Sequence, residues 1–182
     1  MQNSDYTQLI EGCIAQKRDA QHQLFKTFYS KMFGVCYRYA VNYEEAQDMV
    51  NEGFMKVFAN LDKYKPTGTL ESWMKRVVAN AALDYQRRHK VGFDTVEYEQ
   101  VNESQLAGFE ENNVLGKLSS DEILELIQKL PAKSKSVFNL YVFENYSHKE
   151  IAEIMKIEEG TSHWHLNFAR NKLKEMILTN DK

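Results

Sequence analysis

Apolar residues recur at three- and four-residue steps along most of the chain, the period of an amphipathic helix. The clearest stripe is Ala46, Met49, Val50, Phe54, Val57, Phe58 and Leu61, within residues 44–61. Asn42, with Glu45 three residues later, supplies an N-cap signature in front of it. Residues 63–68, KYKPTG, interrupt the pattern with Pro66 and Gly68. Thr69 then caps a second helix, whose predicted inward side includes Trp73, Val77, Ala81 and Tyr85. From Val91 to Leu118 the periodicity fades, and a stretch this long without pattern reads as an interdomain linker. Helical order resumes where Ser119 and Glu122 fit a capping box, ahead of Ile123, Leu126, Ile127 and Leu130. Pro131 suits the start of a further helix to about Phe143. Ser147 and Glu150 form another capping box, opening a short helix through Met155. A tight turn over residues 156–159 leads to a last helix from about Gly160 to Leu178, anchored by Leu166, Ala169, Leu173 and Ile177.

This pattern predicts an all-α chain of two helical domains, residues 5–90 and 119–178, joined by a flexible acidic linker over 91–118. The last two helices, joined by a short turn with the second longer and basic, have the helix-turn-helix form.

Composition narrows the function classes. Hydrophobic residues make up 43% and charged residues 27%, ordinary for a globular protein, and only two prolines and eight glycines interrupt helices. Cys13 and Cys36 form no CxxC pair, so neither a disulfide framework nor a zinc site is expected. The first residues lack a signal-peptide pattern and no run of about 18 apolar residues occurs, which predicts a soluble, cytoplasmic protein without membrane insertion. The net charge of −3 hides a segregated arrangement. Lys75, Arg76, Arg87, Arg88 and Lys90 face only Asp84 within residues 75–90. Asp94, Glu97, Glu99, Glu103, Glu110 and Glu111 face only Lys117 within residues 91–118.

Three constellations carry candidate chemistry. On the last helix, His163, Asn167, Arg170 and Lys174 share a face flanked by Trp164 and Phe168. Amides and cations so placed can read base edges or hold phosphates, and a ring can meet a thymine methyl. The alternative is a solvated face with two aromatics packed on a neighbouring helix. On the helix after Thr69, Arg76, Asn80, Leu83 and Arg87 share a face, with Trp73 near its start and the Tyr64 loop before it. Cations, an amide and rings suit single-stranded DNA, where bases stack and charges track phosphates. A core tryptophan beside a solvated basic face is the plainer reading of those residues alone. Asp84 is expected to pair with Arg88, four residues on. Third, Glu44, Asp48 and Glu52 stack at four-residue spacing, where like charges cost an isolated helix roughly 0.2–0.5 kcal/mol per pair. Glu44 is favoured by the first-turn dipole, but Asp48 and Glu52 point to a basic partner surface or to plain solvation.

No enzyme constellation is present, and no cofactor is expected. The five histidines are scattered, and His163 and His165, two apart on a helix, diverge too far to share a metal. No GxxxxGK[ST], GxSxG or HExxH occurs.

Taken together, the chain resembles the extracytoplasmic-function class of sigma factors within the sigma-70 family. Two stretches carry the resemblance: EEAQDMVNEGFMKVFANLDKY with LESWMKRVVANAALDYQRRHK, residues 44–64 and 70–90, and KLPAKSKSVFNLYVFENYSHKEIAEIMKIEEGTSHWHLNFARNKLKEMI, residues 129–177. The first is similar to sigma region 2, with its D-x-x-Q-E-like and W-x-x-R-I-A-x-N-x-x-x-D-x-x-R-like helices. The second is similar to sigma region 4. The resemblance implies a non-enzymatic subunit that directs RNA polymerase core enzyme to promoter DNA and assists melting. It further implies that Asp48, Asn51 (where glutamine is usual) and Glu52 contact polymerase. Tyr64, Lys65, Trp73, Arg76, Asn80 and Arg87 are then expected at the melted minus-ten element. His163, Trp164, His165, Asn167, Phe168 and Arg170 are expected at the minus-thirty-five element. Family members often carry basic residues where His163, His165 and Phe168 stand, which implies weaker phosphate attraction here and more dependence on shape or methyl contacts. A reversible inhibitor, an anti-sigma factor that is often membrane-linked, is also implied. The rival reading is a two-domain helix-turn-helix regulator with a helical sensor domain.

Overall fold

The computed structural model describes residues 6–89 and 120–180. Among these residues the fold is all-α, with eight α-helices in two compact units that divide after His89. The first unit holds α1 (Thr7–Ile14), α2 (Arg18–Tyr37), α3 (Tyr43–Asn60) and α4 (Leu70–His89), with a 3₁₀ turn at Leu61–Lys63. The second holds α5 (Ser120–Gln128), α6 (Ala132–Val142), α7 (His148–Met155) and α8 (Glu159–Asn180). The predicted acidic linker and the Ser119 half of its capping box lie outside the described residues.

Local sequence explains the starts of four of the eight helices, α3, α4, α6 and α7. Asn42 Oδ1 accepts from Glu45 N at 2.8 Å, and Thr69 Oγ1 accepts from Ser72 N at 3.1 Å. Ser147 and Glu150 complete the capping box of α7, Ser147 N donating to the Glu150 carboxylate at 2.8 Å. Pro131 stands immediately before α6, whose first turn needs no amide from it.

In the first unit α2, α3 and α4 pack on one another around Leu24, Phe28, Met32, Met49, Val50, Phe54, Met74, Val78 and Ala82. Gly53 lets α3 and α4 approach closely, since a Cβ there would lie 3.0 Å from Val78 Cγ2. Buried Gln86 donates to the Tyr39 carbonyl at 2.6 Å and ties the end of α4 to the turn after α2.

The predicted inward face of α4 needs correction. Ala81 is buried as expected, but Trp73, Val77 and Tyr85 are only half-buried, and Met74, Val78, Ala82, Leu83 and Gln86 fill the interior instead. Helix α4 packs against both α2 and α3, so its buried arc is wider than one stripe and excludes the large amphipathic rings to its margin.

In the second unit α8 packs along α6 and α7, with Leu126, Ile127, Val137, Leu140, Ile151, Leu166 and Ala169 inside. Lys156 closes α7 in the left-handed region (φ 55°, ψ 49°), so the chain reverses within the short turn before α8.

Candidate nucleic-acid interface

The polar side of α3 carries exposed Glu44, Asp48 and Asn51, with Glu52 half-buried beside them. Their crowding is relieved from α4. Glu52 accepts from Arg88 Nη2, and Asp48 accepts from the Tyr85 hydroxyl at 3.4 Å. Arg88 also lies over the Tyr85 ring, 5.9 Å from its centroid, and the His89 ring stacks on Tyr85 with centroids 4.0 Å apart. Burial, then the Asp48 charge, raise the Tyr85 phenol above its usual range. The expected Asp84–Arg88 pair does not form through the carboxylate. Asp84 instead holds Lys56 at 2.6 Å and Arg87 at 3.2 Å, while Arg88 reaches only the Asp84 carbonyl, at 3.3 Å. Arg88 is drawn away because Glu52 on α3 offers a second carboxylate within reach.

The loop before α4 is organised by its own residues. The Tyr64 hydroxyl donates to the Gly68 carbonyl at 2.8 Å, and its ring leans on Trp73 with centroids 5.5 Å apart and planes 55° tilted. Burial raises the Tyr64 phenol. Lys65 and Arg76 are exposed, whereas Asn80 and Arg87 are half-buried. The structure therefore brings Tyr64 and Trp73 together at the start of α4, with Arg76 one turn beyond. Leu83, expected on the same outward face, is fully buried and belongs to the core. It lies within the arc that α2 and α3 cover.

On α8, His163, Arg170 and Lys174 are exposed, and Asn167, Trp164 and Phe168 are half-buried. Trp164 and Phe168 stack on each other at 5.3 Å and 21°, which fixes an apolar flank beside the polar side chains. His165 is a correction. It is only 6% exposed, its Nδ1 is 2.9 Å from Ser134 Oγ on α6, and it faces the interior rather than a groove. Burial, then the nearby Lys133 charge, push its imidazole down to about 4, so it is neutral at physiological pH.

Sequence reasoning gave no role to His148, the first residue of α7. Its ring is stacked between Tyr141 of α6, at 4.6 Å, and His163 of α8, at 3.6 Å, while Nδ1 lies 2.9 Å from Ser162 Oγ. Only the Ser147 cap hinted that this position is ordered, since its partners lie in other helices. Arg170 completes the group with its guanidinium 5.7 Å from the Tyr141 ring centroid. Among the described residues no three His, Cys, Asp or Glu side chains gather to hold a metal, and no helix is long and apolar enough to cross a membrane.

Comparison with known families shows which family the chain belongs to. Residues 24–91 match the family model for sigma-70 region 2, and residues 120–173 match that for sigma-70 region 4. The chain belongs to the sigma-70 family. The two matches span well over half of it, and its relatives put it in the extracytoplasmic-function (ECF) class. It is 25% identical over 169 residues to the ECF RNA polymerase sigma factor SigW of Bacillus subtilis, covering 88% of this chain and 90% of that one. It is 24% identical over 177 residues to the ECF RNA polymerase sigma-E factor of Haemophilus influenzae, covering 93% of each. The fold is similar to that of the sigma factor RpoE of Bartonella quintana, solved with the anti-sigma factor NepR (TM-score 0.53, 18% identity, 88% of this chain and 98% of that one). This sigma factor thus acts in directing RNA polymerase to promoter DNA, which removes the sensor-domain regulator as a reading.

Proposed function

We propose that the sigma factor divides its work between three faces of its two helical units. The exposed Asp48 and Asn51 of α3, with Glu52, bind a basic surface of RNA polymerase core. The Tyr64–Trp73 pair, with Lys65, Arg76, Asn80 and Arg87, holds the melted strand of the minus-ten element. His163, Trp164, Asn167, Phe168 and Arg170 of α8 read the minus-thirty-five duplex. The observation that carries this reading is the Tyr64–Trp73 pair beside exposed Lys65 and Arg76, a small stacking platform with cations at its rim. Such a platform suits unstacked bases, whereas a capped helix-turn-helix suits the major groove.

The chain makes no bond itself; polymerase supplies the catalysis, and the subunit supplies tethering and strand capture in the cytoplasm. Unstacking a base costs a few kcal/mol, which ring and phosphate contacts offset. An anti-sigma factor is the expected regulator, in keeping with the fold's likeness to a sigma factor solved with one.

The test is transcription in vitro from a promoter library with purified core polymerase and this chain. Promoter-specific transcripts that need both components are the expected result. Asn80→Ala should spare duplex binding yet reduce permanganate reactivity of unpaired thymines, with partial rescue on a pre-melted template. Equal opening by Asn80→Ala and the parent protein on the ordinary promoter would make Asn80 structural.

A further inference from the structure

We infer that His148 is a positioning residue for upstream duplex recognition, stacked on His163 so that the two imidazoles together carry at most one proton, which His163 takes from solution when the duplex binds. The inference rests on the reading of α8 as the duplex-reading helix and adds a residue that lies on another helix. Its basis is geometric. The two rings stack with centroids 3.6 Å apart and planes 27° from parallel, so His163 is held at the surface by a ring that does not itself reach it. His148 is 9% exposed and is fixed on its far side by Tyr141 and at Nδ1 by Ser162.

The surroundings decide how many protons the pair can carry. From α8, His163 and Arg170 present positive or potentially positive groups to His148, and Glu159 presents a negative one. From α6, the neutral phenol of Tyr141 covers its face. On α7 itself, Glu150 is engaged with Ser147, and Lys149 is exposed. Burial first, then the His163 and Arg170 charges, lower the His148 imidazole from its ordinary value, against the opposing pull of Glu159. Two imidazolium rings at stacking distance repel each other, so the pair carries at most one proton at a time.

Phosphate oxygens, or the N7 and O6 acceptors of guanine, favour the charged form of a ring that faces them. DNA therefore favours uptake of one proton from solution by His163, and neutral His148 provides an aromatic backing for it. Affinity then falls as pH rises, by up to about tenfold per pH unit where one whole proton is taken up.

The experiment is a quantitative footprint of the upstream duplex by the holoenzyme, formed from the full chain and core polymerase, between pH 5.5 and 8.5. Buried His165 stays neutral across this window, with its value of about 4, so core protonation does not intrude. The parent protein should bind more weakly as pH rises, and His163→Gln should be flat. His148→Phe keeps a ring behind His163 without a competing charge, so the pH dependence should move upward. His148→Gln keeps a partner for Ser162 but loses the stack, and should weaken binding at low pH while circular dichroism shows the helices intact. A footprint independent of pH in the parent, or a His148→Phe profile that overlays it, overturns the inference while leaving the α8 reading standing. Absence of an upstream footprint at every pH overturns that reading and this inference with it.

Discussion

The two units solve the same problem, packing four helices, with different interiors. In the first unit, among the described residues, the buried polar groups include the Gln86 amide and the Tyr39 hydroxyl, no charged residue is buried, and its charges meet at the surface: Glu52 with Arg88, Asp84 with Lys56 and Arg87, Glu71 with Lys31 and Lys75. In the second, Ser134, Lys135, Ser136, Asn139, Glu144, His148, Ser162 and His165 are buried among the apolar residues. Surface ion pairs in water contribute little and tolerate exchange of partners. Buried hydrogen-bonded groups are costly to disturb and respond to protonation. The first unit is thus suited to trading contacts, as the polymerase and melted-strand faces proposed for it require. The second is suited to holding α8, the proposed reading helix, in place.

The largest expected effect tests where the first unit's core ends. Leu83→Ala should cost roughly 2–5 kcal/mol, the range for emptying a buried leucine site. Urea unfolding followed by Trp73 fluorescence, in a Trp164→Phe background, reads this unit alone because the chain has two tryptophans. A cost under about 0.5 kcal/mol is what a surface position would show and would return Leu83 to the outward face.

The next separates the interiors by pH. His165 is held down to about 4 in the folded unit, below its ordinary value near 6.5, so the unfolded chain binds the extra proton first. Stability is complete above about pH 6.5 and is lost as pH falls toward about 4, by up to roughly 1.4 kcal/mol per pH unit. His148, also lowered by burial, adds in the same direction. Trp164 fluorescence in a Trp73→Phe background should show the loss between pH 6.5 and 5, and His165→Gln should flatten much of it. The Trp73 transition serves as the internal reference, because His148 and His165 both lie in the other unit.

These contrasts also explain what could be read from the chain. Helix starts were legible because caps are local: Asn42, Thr69 and Ser147 each bond within three residues. The helix-turn-helix and the stripe of α3 were legible for the same reason. The errors fall where a distant helix chooses the partner. Local spacing pairs Asp84 with Arg88, yet Lys56 and Glu52 on α3 compete successfully for them. A single-stripe reading of α4 places Trp73 and Tyr85 inward, but two neighbours widen the buried arc and leave the rings at its edge. His165 looked like a reading residue until Ser134, 31 residues away, proved to be its partner. The His148–His163 stack joins two helices across the turn, and no spacing rule signals it.

A smaller effect tests the trading role of α3. Asp48→Lys should weaken association with core polymerase by roughly tenfold, about 1.4 kcal/mol, acting mostly through the association rate and fading at high salt. Asp48 is exposed, and its hydrogen bond among the described residues is the long one from the Tyr85 hydroxyl, at 3.4 Å, so the fold should be unaffected. Co-purification and biosensor kinetics at two ionic strengths would measure it. Unchanged kinetics at low salt would remove Asp48 from the interface.

The smallest effect concerns the Glu52–Arg88 pair, which joins the proposed polymerase face to the DNA-side helix. Its side chains are 32% and 56% exposed, so a double-mutant cycle with Glu52→Gln and Arg88→Gln should give a coupling below about 1 kcal/mol in urea unfolding. A coupling that small means a basic polymerase side chain can take Glu52 from Arg88 at little cost. Arg88 would then be released toward the backbone of the melted strand. The same cycle measured on open-complex lifetime should therefore differ from the cycle on stability: Arg88→Gln should shorten the lifetime even where Glu52→Gln does not. If the coupling in the free protein exceeds that range, the pair is a fixed strut between α3 and α4. Polymerase binding by α3 would then rest on Asp48 and Asn51 without Glu52.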